Sequence, residues 1–331
     1  MPDSASIPTG LTALSLEREE SRGKLPPAHL SLWLGGVVAT GKERDFEEKK
    51  VGLIGGEIAG LVREWAVAAT CKKGWKPESP NQDNYCVAVH GSALVLGVFD
   101  GHGPAGHEVS AFASLSMPQA MTSRVALLQN PANAQLFAFQ QTQNGLLSNL
   151  IEKRRSLDCI YSGSTATVAV IVEGKLVLGH MGGFVPVEGS TQLPVAVQLT
   201  FDHKPNIPSE RERIEAAWGQ IRTIEGDKAY RVFFPEKNFP GLSITRAVGD
   251  ITTQPLGITS LSDIYERKIE ENDIFCCFAV TEYGNSSPMR RQWGWFGTMD
   301  EKKRRRSWIR NEEGVVDDIT VLIAYFSSSS R

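Results

Sequence analysis

The 331-residue sequence lacks several features that would assign it to particular classes of protein. Its five cysteines show no C-x-x-C spacing, which argues against a zinc cage or a disulfide framework and predicts buried, reduced thiols. No uninterrupted apolar run approaches the roughly 20 residues that cross a bilayer, and the N-terminus carries no secretory pattern. We therefore expect an intracellular protein, cytoplasmic, nuclear or both, that does not associate with membranes.

The sequence also lacks a strong excess of charge of either sign. Its 35 basic and 38 acidic residues leave a formal net charge of -3, so there is no overall attraction to nucleic acid. A basic run at 302–306 resembles a nuclear-import or nucleic-acid patch, but we favour a solvated segment. The composition is that of an ordinary globular protein, and we expect a monomer.

The pattern along the chain divides it into four parts. Residues 1–30 are rich in Ser, Pro, Gly and charge and predict a mobile extension. No element is assigned in the lead-in at 31–57, one domain is predicted over 58–327, and 328–331 form a tail.

Short valine-rich runs in the domain predict two hairpins, with turns at 90–92 and 173–175. Helices are expected from Gly106, over 134–155, and from a capping box that begins at Ser209. In the last of these, Ile214 and Trp218 are placed on one face and Gly219 ends the helix. Hairpins separated by helices favour an α+β fold of antiparallel sheets with helices outside.

The first hairpin brings two aspartates together. If residues 90–92 form its turn, paired residues sum to about 182, and Asp83 lies opposite residue 99, next to Asp100. Directly opposed side chains are ~5 Å apart, so the two carboxylates repel each other unless a cation lies between them. Oxygen ligands suit Mg²⁺ or Mn²⁺. The alternative is that both are polar strand-end residues that face water.

A Gly-His-Gly segment, residues 101–103, follows Asp100 directly. Gly101 and Gly103 let the backbone carbonyl approach an ion and leave the imidazole of His102 exposed. A histidine beside a metal-bound water is a candidate general acid or base. This segment therefore favours the metal hypothesis over the water-facing alternative.

At this point the sequence resembles the metal-dependent protein serine/threonine phosphatases, the PPM or type 2C family. The resemblance runs from about residue 60 to residue 326. Its segments, in family order, are NQD (81–83), VFDGHG (98–103), SGSTA (162–166), QLT (198–200) with DHKP (202–205), PGLS (240–243) with TRAVGD (245–250), and DDITV (317–321). Each segment alone is weak evidence, but their ordered recurrence is specific.

The resemblance implies a four-layer α-β-β-α sandwich with a binuclear Mg²⁺/Mn²⁺ centre that hydrolyses phosphoserine and phosphothreonine in proteins. By resemblance, Asp100 bridges both metals, the carbonyl of Gly101 and the carboxylate of Asp317 bind one each, and Asp83 contributes directly or through water. His102 matches the general acid that protonates the leaving alkoxide. Lys76 is the nearest match to the residue that holds the phosphate, although a solvated loop lysine is an equal alternative.

Two positions depart from the family pattern. Gly183 stands where the family has the aspartate of a further metal site, and Thr281 stands where it has a core metal-ligating aspartate. Glu282 is adjacent, but successive strand residues face opposite sides, so it substitutes only if the backbone shifts by one residue. Three hypotheses follow: an active phosphatase of impaired activity, a pseudophosphatase that binds phosphoproteins or signalling partners without turnover, and a scaffold without a metal site.

Overall fold

The computed structural model describes residues 32–36, 49, 51–54, 67–74, 79–122, 126–151, 158–182, 199–226, 229–270, 275–280 and 318–325. Five residues singled out by the sequence lie outside these ranges: Lys76, Gly183, Thr281, Glu282 and Asp317. The predictions for both termini and for the basic run at 302–306 also fall outside the described residues.

The described residues form strands, α-helices and one 3₁₀ helix, numbered here in chain order. The strands are β1 (Leu32–Gly36), β2 (Val51–Ile54), β3 (Val67–Lys72), β4 (Asp83–His90), β5 (Ala93–His102), β6 (Gly163–Ser164), β7 (Ala166–Val172), β8 (Lys175–Met181), β9 (Gln220–Arg222), β10 (Arg231–Phe233), β11 (Pro240–Leu242), β12 (Val248–Gly249), β13 (Asp263–Lys268), β14 (Phe275–Val280) and β15 (Ile319–Tyr325). The helices are α1 (Gly106–Thr122), α2 (Ala126–Gln129), α3 (Pro131–Ile151), α4 (Pro208–Ala216) and the 3₁₀ helix Ile251–Leu256.

The strands form three sheets, all with antiparallel pairing. The first has the order β13-β8-β7-β5-β4-β1-β2, and β6 joins it by pairing with the end of β5 and with β12. The second has the order β14-β15-β3, and a small third sheet has the order β11-β10-β9. Strands β1 and β2 come from the lead-in for which the sequence pattern assigns no element.

The alternation of β5 explains how the layers pack. Leu94, Leu96 and Val98 face the second sheet, where the cluster includes Leu322 of β15. The intervening residues face the opposite way and pack against α1 and α3, in a cluster that includes Val95, Phe99, Val109, Met117, Ala138 and Leu146. Side chains in a strand alternate between its two faces, so one strand contributes to both cores. The predicted α+β sandwich is confirmed.

Both predicted hairpins form, but each turn is one residue shorter than expected. Val89 pairs with Leu94 and His90 with Ala93, which leaves residues 91–92 as a two-residue turn. Val172 pairs with Lys175, and Glu173 and Gly174 both have positive φ. Two-residue turns with positive φ match the twist of paired strands and are preferred in hairpins. The predicted pairing sum was therefore wrong by one, because the turn holds two residues and not three.

The predicted ends of α4 are wrong in detail. Ile207 is the N-cap and no side chain caps the helix; Pro208 at its start needs no amide hydrogen bond. At the other end, Trp218 has φ +63° and is 84% exposed, whereas Ile214 is fully buried. The amides of Trp218 and Gly219 donate to the carbonyls of Glu215 and Ile214, which is the Schellman pattern. Trp218 therefore occupies the left-handed position that usually holds glycine.

We expect Trp218→Gly to stabilise the protein. A non-glycine residue in the left-handed region costs roughly 1–2 kcal/mol, and this exposed side chain loses little by removal. Part of the gain is offset because glycine has more freedom in the unfolded chain, so we expect a net gain of ~1 kcal/mol in the free energy of unfolding. Urea denaturation measures it. Trp218→Ala keeps the strained backbone and is the control; an equal gain in both variants would contradict the strain argument.

Candidate active site

The two aspartates predicted to lie together are direct cross-strand partners, since Asp83 pairs with Asp100. The amide of Gly101 donates to the carbonyl of Gln82 at 3.1 Å. Because hydrogen-bonded and non-hydrogen-bonded pairs alternate, the adjacent pair of Asp83 and Asp100 is of the narrow, non-hydrogen-bonded type, in which side chains lie closest together. Asp100 continues the alternation of Leu96 and Val98, so both carboxylates face the space between the two large sheets. The hairpin thus brings the two carboxylates together at one end of the sandwich.

Asp83 is held by a neighbour from β15 and by one from the chain just before it. Its carboxylate Oδ2 accepts a hydrogen bond from the hydroxyl of Thr320 in β15 at 2.9 Å, and its amide donates to Oδ1 of Asn81 at 3.0 Å. Only 2% of Asp83 is exposed. A buried carboxylate must be paired or hydrogen-bonded, and a hydroxyl that donates to one oxygen fixes the orientation of the group. The second sheet therefore positions a side chain of the first.

A buried lysine lies behind Asp83. Lys49 is only 2% exposed, and its ammonium donates to the carbonyl of Asn81 at 3.2 Å and to the carbonyl of Asp83. Its own amide donates to the carbonyl of Cys71 at 2.7 Å. A buried ammonium is costly unless negative charge lies nearby. Lys49 places a positive charge beside the carboxylate pair, and no sequence pattern pointed to it.

Asp318 joins β15 to the strand that carries Asp83. Its carboxylate accepts from the amide of Gly74 through Oδ1 and from the amide of Gln82 through Oδ2, both at 2.8 Å. The ladder bond that the amide of Gln82 would give to Gly101 is therefore not made. The amide of Gly101 still donates to the carbonyl of Gln82, so the carbonyl of Gly101 faces the same edge of the strand.

The imidazole of His102 lies against a second buried carboxylate. Its Nε2 is 2.6 Å from Oδ2 of Asp250, and the side chains are 21% and 1% exposed. A carboxylate only accepts hydrogen bonds, so the ring donates through Nε2, and Nδ1 is the nitrogen left to exchange a proton with a substrate. Asp250 belongs to the matching segment 245–250, but its pairing with His102 was not predicted.

Backbone geometry at this pair leaves no room for larger residues. A Cβ on Gly163 would lie 2.3 Å from Oδ2 of Asp250 and 2.7 Å from Nε2 of His102. Asp250 itself has φ +46° and ψ +44°, and its amide donates to the carbonyl of Ser162 at 2.9 Å. Left-handed conformations of non-glycine residues cost free energy and cluster at functional sites. Because the packing around Asp250 maintains this conformation, its carboxylate is held against His102.

A row of polar side chains lies alongside β8, away from the aspartate pair. The rings of His180 and His203 stack with centroids 5.1 Å apart, and Nε2 of His203 lies 3.0 Å from Oδ2 of Asp263. Asp263 Oδ1 accepts from Arg246, which also binds the buried Glu210. Burial alone would raise the pKa of Glu210, but hydrogen bonds from its arginine neighbours and a hydroxyl hold it well below the usual range.

This row fixes the chain on both sides of residues 183–198. The amide of Gly182 donates to Nδ1 of His203 at 3.1 Å, and the amide of His203 donates to the carbonyl of Gly182 at 2.8 Å. The amide of Thr245 in turn donates to the carbonyl of His203 at 3.0 Å. The segment that ends in Asp250 is therefore anchored to the end of β8.

The structure brings together four of the predicted site residues: Asp83, Asp100, Gly101 and His102. Asp317 lies outside the described residues, but Asp318 binds the amide next to Asp83, so the adjoining chain reaches the same end of the sandwich. Within the described ranges, no three or more His, Cys, Asp or Glu side chains are arranged to hold a metal ion. The convergence of Asp83, Asp100 and Asp317 around one cation stays a prediction.

Cys71, Cys86, Cys159 and Cys276 are buried free thiols, as the sequence predicted. Cys71 lies next to Asp83; Nδ2 of Asn81 donates to its sulfur, and the hydroxyl oxygen of Thr320 lies 3.1 Å from the same sulfur. Burial raises the pKa of Cys71 to about 12, partly offset by the charge of Lys49. This thiol stays protonated at neutral pH and has no nucleophilic role.

Comparison with known proteins identifies the family. A family model described as protein phosphatase 2C matches residues 75–281, which is more than half of the chain. The chain therefore belongs to the protein phosphatase 2C family of serine/threonine phosphatases, which is generally metal-dependent.

Curated relatives from plants support this membership. "Probable protein phosphatase 2C 34" of Arabidopsis thaliana is 30% identical over 266 residues, which cover 72% of this chain and 73% of the relative. "Probable protein phosphatase 2C 73" of Oryza sativa is 30% identical over 247 residues, which cover 65% of this chain and 59% of the relative. "Probable protein phosphatase 2C 64" of Oryza sativa is 35% identical over 193 residues, covering 56% and 45%. The chain thus spans about half the length of several of the relatives it matches.

Solved structures share the fold. A serine-threonine phosphatase 2C from Toxoplasma gondii superposes with a TM-score of 0.59 at 19% identity, covering 79% of this chain and 94% of that one. A serine/threonine phosphatase from Staphylococcus aureus gives 0.52 at 15% identity, covering 80% and 96%. None of the described helices has the length and apolar character needed to span a membrane.

The histidine stack predicts that stability falls in mild acid. Burial, and then the charge of His203, lower the pKa of His180 to about 3, and burial also lowers the pKa of His203. Below the unfolded value of about 6.5, the unfolded chain takes up protons that the folded histidines do not. For His180 alone the free energy of unfolding should fall by about 1.4 kcal/mol for each pH unit lost below that value.

Urea denaturation between about pH 7 and pH 5 measures this slope. His180→Asn keeps a polar atom near Thr167, which lies 2.8 Å from Nδ1 of His180, but cannot titrate, so it should reduce the slope by one proton. An unchanged slope in the variant would show that other groups cause the acid sensitivity.

Proposed function

We propose that this protein hydrolyses phosphoserine and phosphothreonine in proteins with the help of Mg²⁺ or Mn²⁺. The observation that carries the proposal is the pairing of Asp83 with Asp100 at the narrow position of the hairpin, two residues before a histidine that is bound to a buried carboxylate. Family membership supplies the reaction class.

The residues present fit a hard divalent cation. Two carboxylates that face the same space repel each other, which a cation between them relieves. All the donors on offer are oxygens, and the carbonyl of Gly101 lacks the ladder bond from Gln82. Asp100 would bridge two ions, Asp83, Asp317 and the Gly101 carbonyl would complete the set, and the bound ions would lower the pKa of a water and neutralise charge on the phosphoryl group.

The protein's own groups would then handle the proton and the phosphate. Asp250 holds the ring of His102 through Nε2, so that the ring in its imidazolium form can give its Nδ1 proton to the departing serine or threonine oxygen and become neutral. Without that proton the departing oxygen leaves as an alkoxide, which is a poor leaving group at neutral pH. Lys76 would hold the phosphate as a point charge. In this scheme His102 is a catalytic residue and Asp250 is a positioning residue.

A second candidate function is binding without turnover. In the family pattern, the position of Thr281 holds a core metal-ligating aspartate and the position of Gly183 holds the aspartate of a further metal site. Glu282 is next to Thr281 in the sequence. Losing an anionic ligand weakens both metal affinity and the activation of bound water. With the same fold and a depleted centre, the protein would bind phosphoproteins or signalling partners as a pseudophosphatase.

We expect the wild type to bind Mn²⁺ and to release phosphate from a phosphothreonine peptide in an Mn²⁺-dependent manner. Asp100→Asn keeps the shape of the side chain but removes the charge, and should weaken Mn²⁺ binding by at least about tenfold. Titration calorimetry measures binding separately from turnover. Asp263→Asn is the matched control, because that aspartate serves the polar row along β8. Equal affinity of the wild type and Asp100→Asn would place the bound ion elsewhere.

Restoring the missing carboxylate distinguishes the two candidate functions. Thr281→Asp should raise Mn²⁺ affinity and peptide hydrolysis on the order of 10–100-fold, with a smaller addition from Gly183→Asp. The gain in hydrolysis should require His102, so it should be lost in the combination with His102→Gln. If the wild type hydrolyses the peptide rapidly and Thr281→Asp lowers that rate, residue 281 is not the ligand position. If the wild type and all the variants are folded but hydrolyse no peptide, the pseudophosphatase function is favoured.

A further inference from the structure

Three aromatic side chains, Tyr161, Phe239 and Phe234, form a row named here the aromatic shelf, in which Phe234 is half-buried. The rings of Tyr161 and Phe239 meet edge to face with centroids 5.3 Å apart, and Phe239 stacks on Phe234 with centroids 6.1 Å apart. Tyr161 is 50% exposed and Phe239 is 39% exposed. Large apolar rings that line up at a surface without being covered are typical of binding sites.

The aromatic shelf begins beside the candidate catalytic histidine. Tyr161 is two residues before Gly163, whose Cβ position lies 2.7 Å from Nε2 of His102. The carbonyl of Tyr161 also lies against Gly103, 2.3 Å from where a Cβ would be. Two residues span at most about 7 Å of chain, so the backbone of Tyr161 lies close to the point where a phosphorylated side chain would enter.

The far end of the aromatic shelf carries positive charge. Nζ of Lys237 lies 5.8 Å from the centroid of Phe234. The guanidinium of Arg222 lies 4.0 Å above the ring of the neighbouring Phe233 and donates to Oδ1 of Asn238 at 2.7 Å. Two cations at the end of an apolar row complement a ligand that has an apolar group followed by an acidic one.

We propose that the aromatic shelf binds the residues that flank the phosphorylated residue of a substrate, with an aromatic or large aliphatic side chain on Tyr161 and Phe239 and an acidic side chain near Lys237. An extended peptide advances about 3.3–3.6 Å per residue, which places the apolar residue two or three positions from the phosphorylated one. This rests on the proposed function, because it assumes that the phosphorylated residue lies at His102.

The first experiment measures a preference for flanking residues. Phosphothreonine peptides carry one Phe, moved from the third position before the phosphothreonine to the third position after it, in an otherwise Ala- and Ser-based sequence. We expect one position to raise kcat/KM by about tenfold over the peptide without Phe. In Tyr161→Ala this ratio should fall to about one, whereas Tyr161→Phe should keep most of it. Trp218→Ala, which removes another exposed aromatic ring, should leave the ratio unchanged.

The second experiment tests the charged end with a substitution that leaves the rings in place. In the best peptide, a Glu beyond the Phe should be preferred over a Lys by the wild type, and Lys237→Glu should reverse that preference. Lys237 is exposed and is not part of the core, so this variant keeps the proposal testable should Tyr161→Ala fold poorly. No preference at any position, or a preference unaffected by both variants, would overturn the proposal.

Failure of the proposed function is recognised with p-nitrophenyl phosphate, which has no flanking residues. Hydrolysis of this compound without any Phe preference would retain the phosphatase function and refute the role of the aromatic shelf. If the wild type hydrolyses neither substrate, the phosphatase function fails, and fluorescence anisotropy of the same labelled peptides decides on the shelf. Tighter binding of the Phe peptide that is lost in Tyr161→Ala would support it, and equal binding of all peptides would refute it.

Discussion

The structure depends on holding two like charges together at the end of one hairpin. Asp83 and Asp100 are direct partners in the narrow pairing position, where a carboxylate pair is unfavourable without compensation. Two neighbours offset the repulsion between the carboxylates. Thr320 of the second sheet donates a hydrogen bond to Asp83, and Lys49 supplies a buried positive charge. A cation between the two carboxylates would complete this compensation. The fold therefore holds the two carboxylates close together through contacts from both large sheets.

The backbone around the site is equally constrained. Gly101 packs against the carbonyl of Gly106 at 2.2 Å from its missing Cβ, and Gly163 leaves the space in which His102 meets Asp250. Asp250 adopts a left-handed conformation that the surrounding packing must maintain. These close approaches explain why the matching segments are rich in glycine. The catalytic proposal needs His102 in one orientation, and this orientation results from backbone geometry as much as from the hydrogen bond.

The polar row from His180 to Glu210 links the site to the small third sheet. His203 holds both Gly182 and Thr245, and Arg246 connects Asp263 to Glu210 of α4. Residues 245–249 lead directly to Asp250, and the aromatic shelf is formed by Tyr161, just before β6, with Phe234 and Phe239 from the connection between β10 and β11. In the proposed scheme, the aromatic shelf would remain in a protein whose metal centre is inactive, so peptide binding and turnover would be separable.

The sequence by itself determined the hairpins and the α+β sandwich, and it placed Asp83, Asp100, Gly101 and His102 close together, because alternation along a strand and cross-strand pairing are local rules. The exact register depended on a two-residue turn, which the sequence leaves open by one position. Only the tertiary structure placed Asp250 on His102 and Lys49 behind Asp83, since these partners are 148 and 34 residues apart. It also decided that Trp218 faces solvent and that Tyr161 meets Phe239. Contacts between segments distant in the chain follow from how layers pack, which no local pattern records.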